Sequence, residues 1–150
     1  MRVLIQRVSS ASVTIDGKVS GQIDQGLLVL LGVEDADTQE DIDWLCGKIT
    51  RMRIFNDEDQ KMNRSVVDVD GGLLVVSQFT LFASTKKGNR PGFTRSAKPD
   101  VAIPLYEAFV KTLSFTALRQ VETGEFGAMM DIALVNDGPT TIWLDSKAKE

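Results

Sequence analysis

The sequence predicts a mixed α/β fold in which a β-rich chain carries two inserted helices within one domain. Three observations support this prediction. Short apolar runs rich in β-branched residues alternate with turn-forming segments that contain Asp-Gly or Gly. Two longer stretches repeat apolar residues at the three-and-four spacing of an amphipathic helix. The length of 150 residues, with 43% hydrophobic and 25% charged residues, fits a single globular domain.

The first third of the chain predicts a β-meander that ends in a buried strand. Residues 3–8 and 12–15 alternate in polarity, and the Asp16-Gly17 pair is a strong hairpin signal before a return strand over 18–23. The run 27–33 is continuously apolar, which is typical of a strand covered on both faces. We therefore expect this run to be central in the sheet.

Two helices are predicted in the middle of the chain. The first follows Thr38, an N-cap residue with Asp41 at the capping-box position, and is expected to end near Phe55. The second begins at Pro99, because proline is tolerated in the first turn of a helix.

The rest of the chain is predicted to form strands joined by polar loops. The strands are expected over 65–69, 73–83, 129–135 and 140–144. Polar loops are expected over 56–64 and 84–98, and residues 146–150 are expected to form a loose tail.

Polar residues interrupt the strand predicted over 73–83. Because a buried hydroxyl or amide without a partner costs about 1–3 kcal/mol, Ser77, Gln78 and Thr80 must either satisfy neighbouring backbone groups or border a cavity. Strand alternation places Gln78 and Thr80 on one face, and Ser77 and Phe79 on the other. Both interpretations remain open from the chemistry alone.

A second irregularity is the sequence Asn136-Asp137-Gly138-Pro139. Its simplest interpretation is a reverse turn between two strands, because all four residues are turn formers. A proline after glycine also admits a cis peptide bond. Such a turn can expose two carbonyl groups with no side chains around them.

The third irregularity is a basic segment in an acidic chain. Five basic residues and no acidic ones lie between 86 and 98, namely Lys86, Lys87, Arg90, Arg95 and Lys98. Since the whole chain has a net charge of −4, the remainder carries −9. This loop is either a local phosphate-binding surface or solvated charge.

Composition excludes several classes of site. With no histidine, the chain lacks Ser-His and Cys-His nucleophile pairs, histidine-ligated zinc and an imidazole base. Cys46 is a lone cysteine and is expected to be buried. Asp57 and Asp59 lack convergent metal-ligand spacing, and no nucleotide-cofactor motif occurs, so we expect no cofactor. No signal peptide or membrane-length apolar stretch is visible, which favours a cytoplasmic protein that does not bind membranes.

Several segments together resemble one family, the bacterial D-aminoacyl-tRNA deacylases. The resemblance rests on Ser77-Gln78-Phe79-Thr80-Leu81, Lys87-Gly88-Asn89-Arg90-Pro91 and Asn136-Asp137-Gly138-Pro139-Thr140-Thr141, and it runs in register over nearly the whole chain. Two departures are visible. Gly92 stands where serine is usual after the proline, and Thr140 stands where valine is usual.

The resemblance implies a homodimer of compact, β-barrel-like α/β subunits with active sites at the interface. It implies that Ser77, Gln78, Phe79 and Thr80 line the catalytic pocket of one subunit. Gly138 and Pro139, joined by a cis bond and held by Arg7, would reach into the pocket of the other and select chirality. Lys86, Lys87, Arg90 and Arg95 would hold the acceptor end of an aminoacyl-tRNA.

The implied reaction is hydrolysis of D-aminoacyl-tRNA, and of glycyl-tRNA as a secondary substrate, with L-aminoacyl esters excluded. The nucleophile is either a water assisted by the ribose 2′-hydroxyl or Thr80 itself. Two competing classes remain open at this stage. One is a nucleic-acid binding module without catalysis, and the other is a metal-dependent phosphoesterase built on carboxylates.

Overall fold

The computed structural model describes residues 1–150 and contains strands, two helices and one 3-10 turn. The strands are β1 (Arg2–Ile15), β2 (Lys18–Ile23), β3 (Gly26–Gly32), β4 (Phe55–Asn56), β5 (Met62–Arg64), β6 (Gly72–Ser77), β7 (Glu122–Thr123) and β8 (Asp131–Asp145). The helices are α1 (Gln39–Arg51) and α2 (Pro99–Ala117), and the 3-10 turn spans Phe79–Phe82. The predicted single-domain α/β fold, a nearly closed, barrel-like mixed sheet with two helices, is confirmed.

β1 is the strand on which the sheet is built. Its N-terminal half pairs antiparallel with β3, its C-terminal half pairs with β2, and β8 follows its other edge. β6 is parallel to both β3 and β7. The hydroxyl of Ser20 on β2 donates to the carbonyl oxygen of Thr123 on β7 at 3.2 Å, so the sheet curls back on itself. The predicted meander is wrong, because β3 pairs with β1 and not with β2.

The hairpin and the buried central strand are both confirmed. Asp16 and Gly17 have φ values of 48° and 77°, the left-handed pair that a tight two-residue hairpin requires. Along β3, Leu27, Val29 and Leu31 pack into the main core with both helices, whereas Leu28 joins a second cluster inside the barrel. Alternate residues of β3 therefore serve two different cores.

α1 begins as predicted and ends earlier. The N–H of Thr38 donates to Asp41 Oδ2 at 2.8 Å, so the capping box is present. The helix stops at Arg51, because Phe55 leaves the helix path to begin β4, which pairs with β5. This small hairpin also replaces the polar loop predicted over 56–64. Cys46 on α1 is fully buried, as expected, and burial raises the pKa of its thiol to about 12.

α2 begins at Pro99, as predicted, and packs against α1 and the sheet. Tyr106, Phe109 and Leu113 are among its buried side chains, and they belong to the same core cluster as the buried face of α1. The chain leaves the helix through Leu118, which has the left-handed φ of 55°.

Residues 65–69 form a turn and not the predicted strand. The N–H of Ser65 donates to Asp68 Oδ2 at 2.8 Å, and the N–H of Asp68 donates to Ser65 Oγ at 3.1 Å. Reciprocal bonds of this kind offer the backbone an alternative to strand pairing. The alternation of polar and apolar residues does not reveal this alternative.

β8 is one strand and replaces the two strands and reverse turn that the sequence predicts. Asn136 lies opposite Val8 and Thr141 lies opposite Gln6, so both halves pair with β1 and not with each other. Only Arg7 separates the two β1 positions, whereas residues 137–140 separate the two β8 positions. The surplus residues loop out of the sheet, and we call them the 137–140 turn.

The segment predicted as a loose tail is held at its start. Ser146 is buried and its hydroxyl accepts a hydrogen bond from the Met1 amino group at 3.0 Å. Lys147 Nζ donates to Asp41 Oδ2 at 2.9 Å. Within this segment, only residues 147–150 are exposed. Neither helix is both long enough and apolar enough to cross a bilayer.

Candidate active site

The polar residues predicted inside a strand lie at the end of β6. Ser77 is the last residue of β6, and the N–H of Gln78 donates to the carbonyl oxygen of Leu31 at 2.7 Å before the chain enters the 3-10 turn. A Cβ at Gly32 would lie 3.1 Å from Leu81 Cβ, so glycine lets the turn pack closely over β3. The predicted alternation of faces is therefore wrong beyond Ser77. The carboxyl ends of parallel strands are common places for ligand sites.

The 3-10 turn begins with two main-chain donors that have no acceptor inside it. The first N–H groups of such a turn have no acceptor within it. The N–H of Leu81 donates to Gln78 O at 3.2 Å, which leaves the N–H groups of Phe79 and Thr80 without an acceptor inside the turn. Both residues are exposed, and Thr80 Oγ1 accepts a hydrogen bond from Gln78 Nε2.

Neighbouring segments hold the turn by its carbonyl groups. Ser96 Oγ donates to Phe79 O at 2.8 Å, and Arg2 Nη1 donates to Leu81 O at 3.0 Å. The ring of Phe93 meets the ring of Phe79 edge-on, with centroids 5.0 Å apart. These contacts fix the turn from two sides.

A cavity of about 40 Å³ lies behind the turn and has room for ordered water. Ser77, Gln78 and Tyr106 are among its lining residues. Burial raises the pKa of Tyr106 to about 12, and its hydroxyl lies 3.4 Å from Val75 O as a hydrogen-bond donor. Tyr106 is therefore neutral at pH 7 and is not a general base.

The 137–140 turn exposes a main-chain surface. The Gly138–Pro139 peptide bond is cis, as expected, and both residues are exposed. Gly138 has φ 121°, a conformation that residues with side chains rarely adopt. The side-chain amide of Asn136 donates to Arg7 O and to Thr140 O, each at 3.0 Å, and so closes the base of the turn.

Arg7 holds the 137–140 turn through contacts with Asp137. Its side chain is buried, its Nε lies 3.3 Å from Asp137 O and 3.1 Å from Asp137 Oδ2, and its guanidinium also donates to Ile54 O. Thr140 Oγ1 is buried beside it without a hydrogen-bond partner.

The structure does not bring the 3-10 turn and the 137–140 turn together within one chain. Ser77 pairs with Leu31, Leu31 pairs with Val3, and the 137–140 turn lies opposite Arg7. Four residues along β1 correspond to about 13 Å at the usual rise of a strand. A ligand that contacts both turns of one chain would have to span that distance.

The basic loop divides into two parts. Hydrogen bonds between Ser84 and Gly92, at 2.8 and 2.9 Å, close a tip on which Lys86, Lys87 and Arg90 are exposed and form no ion pair. Arg95 lies outside this tip. It pairs with Glu34 at 3.3 Å and its guanidinium lies 5.4 Å from the centre of the Phe82 ring. The first three cations are free to meet a ligand, whereas Arg95 already has a partner.

Three residues that contact the 3-10 turn are absent from the predicted site. Phe93 carries a usable signal, because an aromatic residue is unusual in a polar loop. Arg2 and Ser96 carry none, since their contacts join segments far apart in the sequence.

The fold and the site together define an α/β protein whose candidate site is built from main-chain groups at the end of a parallel strand. The chain belongs to the D-Tyr-tRNA(Tyr) deacylase family, whose sequence pattern it matches over residues 4–145.

Individual relatives agree with this assignment. The chain is 63% identical over 150 residues to a D-aminoacyl-tRNA deacylase of Flavobacterium johnsoniae, and 57% identical over 150 residues to one of Bacteroides fragilis. Each alignment covers 100% of this chain and 100% of the relative. A solved structure described as c-Myc DNA Unwinding Element Binding Protein superimposes with a TM-score of 0.93 at 39% identity, covering 99% of this chain and 100% of that one.

Proposed function

We propose that this chain hydrolyses the ester that joins a D-amino acid to the terminal ribose of a tRNA, releasing the free amino acid and the tRNA. The observation that carries the proposal is the pair of N–H groups of Phe79 and Thr80, which have no acceptor inside the 3-10 turn at the end of β6, in a family whose relatives are named for this reaction. Hydrolysis of D-esters with exclusion of L-esters is a proofreading activity. Its setting is the cytoplasm, where charged tRNA is used.

The N–H groups of Phe79 and Thr80 form the oxyanion hole in this mechanism. They have no acceptor inside the turn and are preorganised by the contacts on its carbonyl groups. A well-placed donor of this kind is typically worth about 3–4 kcal/mol of transition-state stabilisation. Because the aminoacyl ester is already labile, such donors suffice without a catalytic triad.

Water is the nucleophile that the site favours. Thr80 Oγ1 is hydrogen-bonded to Gln78, and a side-chain amide does not accept a hydroxyl proton at neutral pH. A water oxygen adds to the ester carbonyl carbon, the bond from that carbon to the ribose O3′ breaks, and O3′ takes up the proton. The ribose 2′-hydroxyl orients the water, and Thr80 and Gln78 position the ester. Ser77 completes the wall behind them.

Chirality is selected by main-chain groups. The carbonyl groups of Gly138 and Pro139 bind the substrate ammonium and leave no room where an L side chain would point. Arg7 holds them through Asp137. Because the contacts recognise the α-carbon and its ammonium, many D-residues are accepted, and achiral glycine on tRNA is a secondary substrate.

The site is completed in a homodimer. The two turns are too far apart for one chain to place both on a single aminoacyl group, as the strand register indicates. β8 pairs only with β1, and Leu134 and Val135 on it are 36% and 57% exposed, which leaves an apolar surface beside the turn for a second copy. The 137–140 turn of each subunit would then enter the pocket of the other.

The exposed cations Lys86, Lys87 and Arg90 hold the acceptor end of the tRNA. Arg95 contributes by bordering the 3-10 turn beside Phe82. A loop of this charge on an acidic body binds phosphates locally without general affinity for nucleic acid.

One experiment tests the proposal: deacylation of matched D- and L-aminoacyl-tRNA, with and without EDTA. D-selective turnover that survives EDTA supports the deacylase. Loss of turnover with EDTA supports the metal-dependent alternative, the phosphoesterase class built on carboxylates. Absence of any turnover supports a second candidate function, nucleic-acid binding without catalysis, which the name of the 39% identical structure favours.

A further inference from the structure

The hydroxyl of Ser96 makes one hydrogen bond, which helps to orient a main-chain group that Ser96 does not touch. Its hydroxyl donates to Phe79 O at 2.8 Å. The peptide unit that joins Phe79 to Thr80 is planar, with its C=O and N–H pointing in opposite directions. Fixing the carbonyl of Phe79 therefore fixes the direction of the Thr80 N–H.

The hydroxyl of Ser96 is itself held in place. The N–H of Ser96 donates to Phe93 O at 3.0 Å, and the N–H of Ala97 donates to Val33 O at 2.9 Å. The first bond closes a short turn whose Phe93 ring contacts Phe79. The second ties the segment to the chain just beyond β3, which carries the neighbouring part of the sheet.

The opposite end of the 3-10 turn is secured independently of Ser96. Arg2 Nη1 donates to Leu81 O at 3.0 Å, and Arg2 Nε pairs with Asp145 Oδ2 at 2.9 Å. The guanidinium of Arg2 also lies 4.5 Å from the centre of the Phe82 ring. Without the Ser96 hydroxyl, the turn would keep its place. The Phe79 carbonyl would then keep only the i→i+3 bond from the Phe82 N–H that defines the 3-10 turn, so the first peptide unit would be less firmly oriented.

We propose that Ser96 is a positioning residue for ester hydrolysis, because its hydroxyl aims the Thr80 N–H at the oxygen that becomes negatively charged. This proposal rests on the proposed function, and it adds a residue outside the Ser77–Thr80 segment to the site. Water replaces the missing bond at Phe79 O in a Ser96→Ala variant, because Phe79 is exposed. The consequence therefore falls on orientation in the transition state and not on folding.

The test compares three variants with the wild type in steady-state and single-turnover hydrolysis of D-aminoacyl-tRNA. Ser96→Ala is expected to lower kcat about fivefold with KM unchanged, the effect of one hydrogen bond expressed only in the transition state. Ser96→Thr, which keeps the hydroxyl, is expected to restore kcat. Ser84→Ala is the matched control, because Ser84 lies in the same loop and its hydroxyl bonds nothing in the turn.

The outcomes separate this proposal from the proposed function. If the wild type hydrolyses D-aminoacyl-tRNA and Ser96→Ala has the same kcat, the proposed role of Ser96 is overturned and the proposed function is not. The same holds if KM rises while kcat stays constant, if Ser96→Thr fails to restore kcat, or if Ser84→Ala is equally impaired. Absence of turnover in the wild type overturns the proposed function and this inference with it. Thermal unfolding midpoints of Ser96→Ala and Ser84→Ala should agree, and a selective loss of stability in Ser96→Ala would mark a purely structural role.

Discussion

Replacing Gly138 with alanine should destabilise the 137–140 turn and weaken the preference for D-esters. A Cβ at this position would lie 2.6 Å from Arg7 Nη2 and 2.8 Å from Thr140 Oγ1. The backbone there has φ 121°, which an L side chain rarely tolerates. The substitution therefore imposes both a steric cost and a conformational cost.

The size of the effect follows from these two costs. A non-glycine residue in a sparsely populated backbone region costs about 1–3 kcal/mol. Arg7 cannot withdraw freely, because it is buried and bonded to Ile54 O and Asp137, and a hydrogen bond from a charged group contributes about 1.5–3 kcal/mol. A total of about 3 kcal/mol lowers the unfolding midpoint of a chain of this length by roughly 10 °C.

Thermal unfolding and paired D- and L-ester hydrolysis measure the two consequences. Gly88→Ala is the matched control, since Gly88 has φ 136° but nothing within 4 Å of its added Cβ. Gly138→Ala should unfold at a lower temperature than Gly88→Ala and should hydrolyse L-esters measurably. Equal midpoints for the two variants, or an unchanged D-to-L ratio in Gly138→Ala, would refute the reasoning.

Three further predictions follow from charges and buried polar groups. Neutralising Lys86, Lys87 and Arg90 should weaken tRNA binding. The slope of log K against log salt concentration should become shallower by about 0.7–0.9 for each phosphate that the loop no longer neutralises. An unchanged slope would mean that the loop carries solvated charge only. Thr140→Val removes a buried hydroxyl without a partner at similar volume, so it should raise stability by about 1 kcal/mol in thermal or urea unfolding; a decrease would mean that the hydroxyl is bonded. Burial alone would raise the pKa of Asp41, but hydrogen bonds, notably those from Ser146 and Lys147, hold it well below its usual range. The ionised Asp41 therefore stabilises the fold fully above about pH 4, and this stabilisation disappears as the pH falls further. In Asp41→Asn, the free energy of unfolding, measured with urea, should fall less steeply below about pH 4 than in the wild type. Equal slopes of unfolding free energy against pH in the two proteins would contradict this.

The parts of the fold that the sequence predicts correctly depend on local chemistry. The Asp16-Gly17 hairpin, the capping box at Thr38 and the helix start at Pro99 each involve residues within a few positions of one another. Each of these signals can therefore be recognised within a short segment of the sequence. The single-domain α/β fold follows because most of these local elements can be identified without knowing how they pair.

Apart from the 65–69 turn, which Ser65 and Asp68 hold locally, the main errors concern pairing between distant segments. The two halves of β8 look like separate strands, and only their common partner β1, more than 110 residues earlier, shows that they are continuous. Similarly, nothing within 73–83 shows that β6 ends at Ser77, because the end depends on where Gly32 lies on β3.

The residues of the candidate site can be predicted from local sequence patterns, whereas the contacts that support them cannot. Ser77, Gln78 and Thr80 violate the apolar pattern of their segment, and Gly138 and Pro139 form a pair that is unusual for a strand. The contacts that support them are not predictable, since Arg2 and Ser96 act from elsewhere in the chain on main-chain oxygens.

The pairing of β8 on both sides of the 137–140 turn also limits how this turn can change during evolution. Asn136 and Thr141 are fixed opposite Val8 and Gln6, and Ile142 packs against the main core. An inserted or deleted residue would have to be absorbed within the turn, because a slip of one position would rotate Ile142 away from the core. The interior of the protein therefore fixes the two ends of this surface turn, while the backbone conformation within it separately requires glycine at position 138.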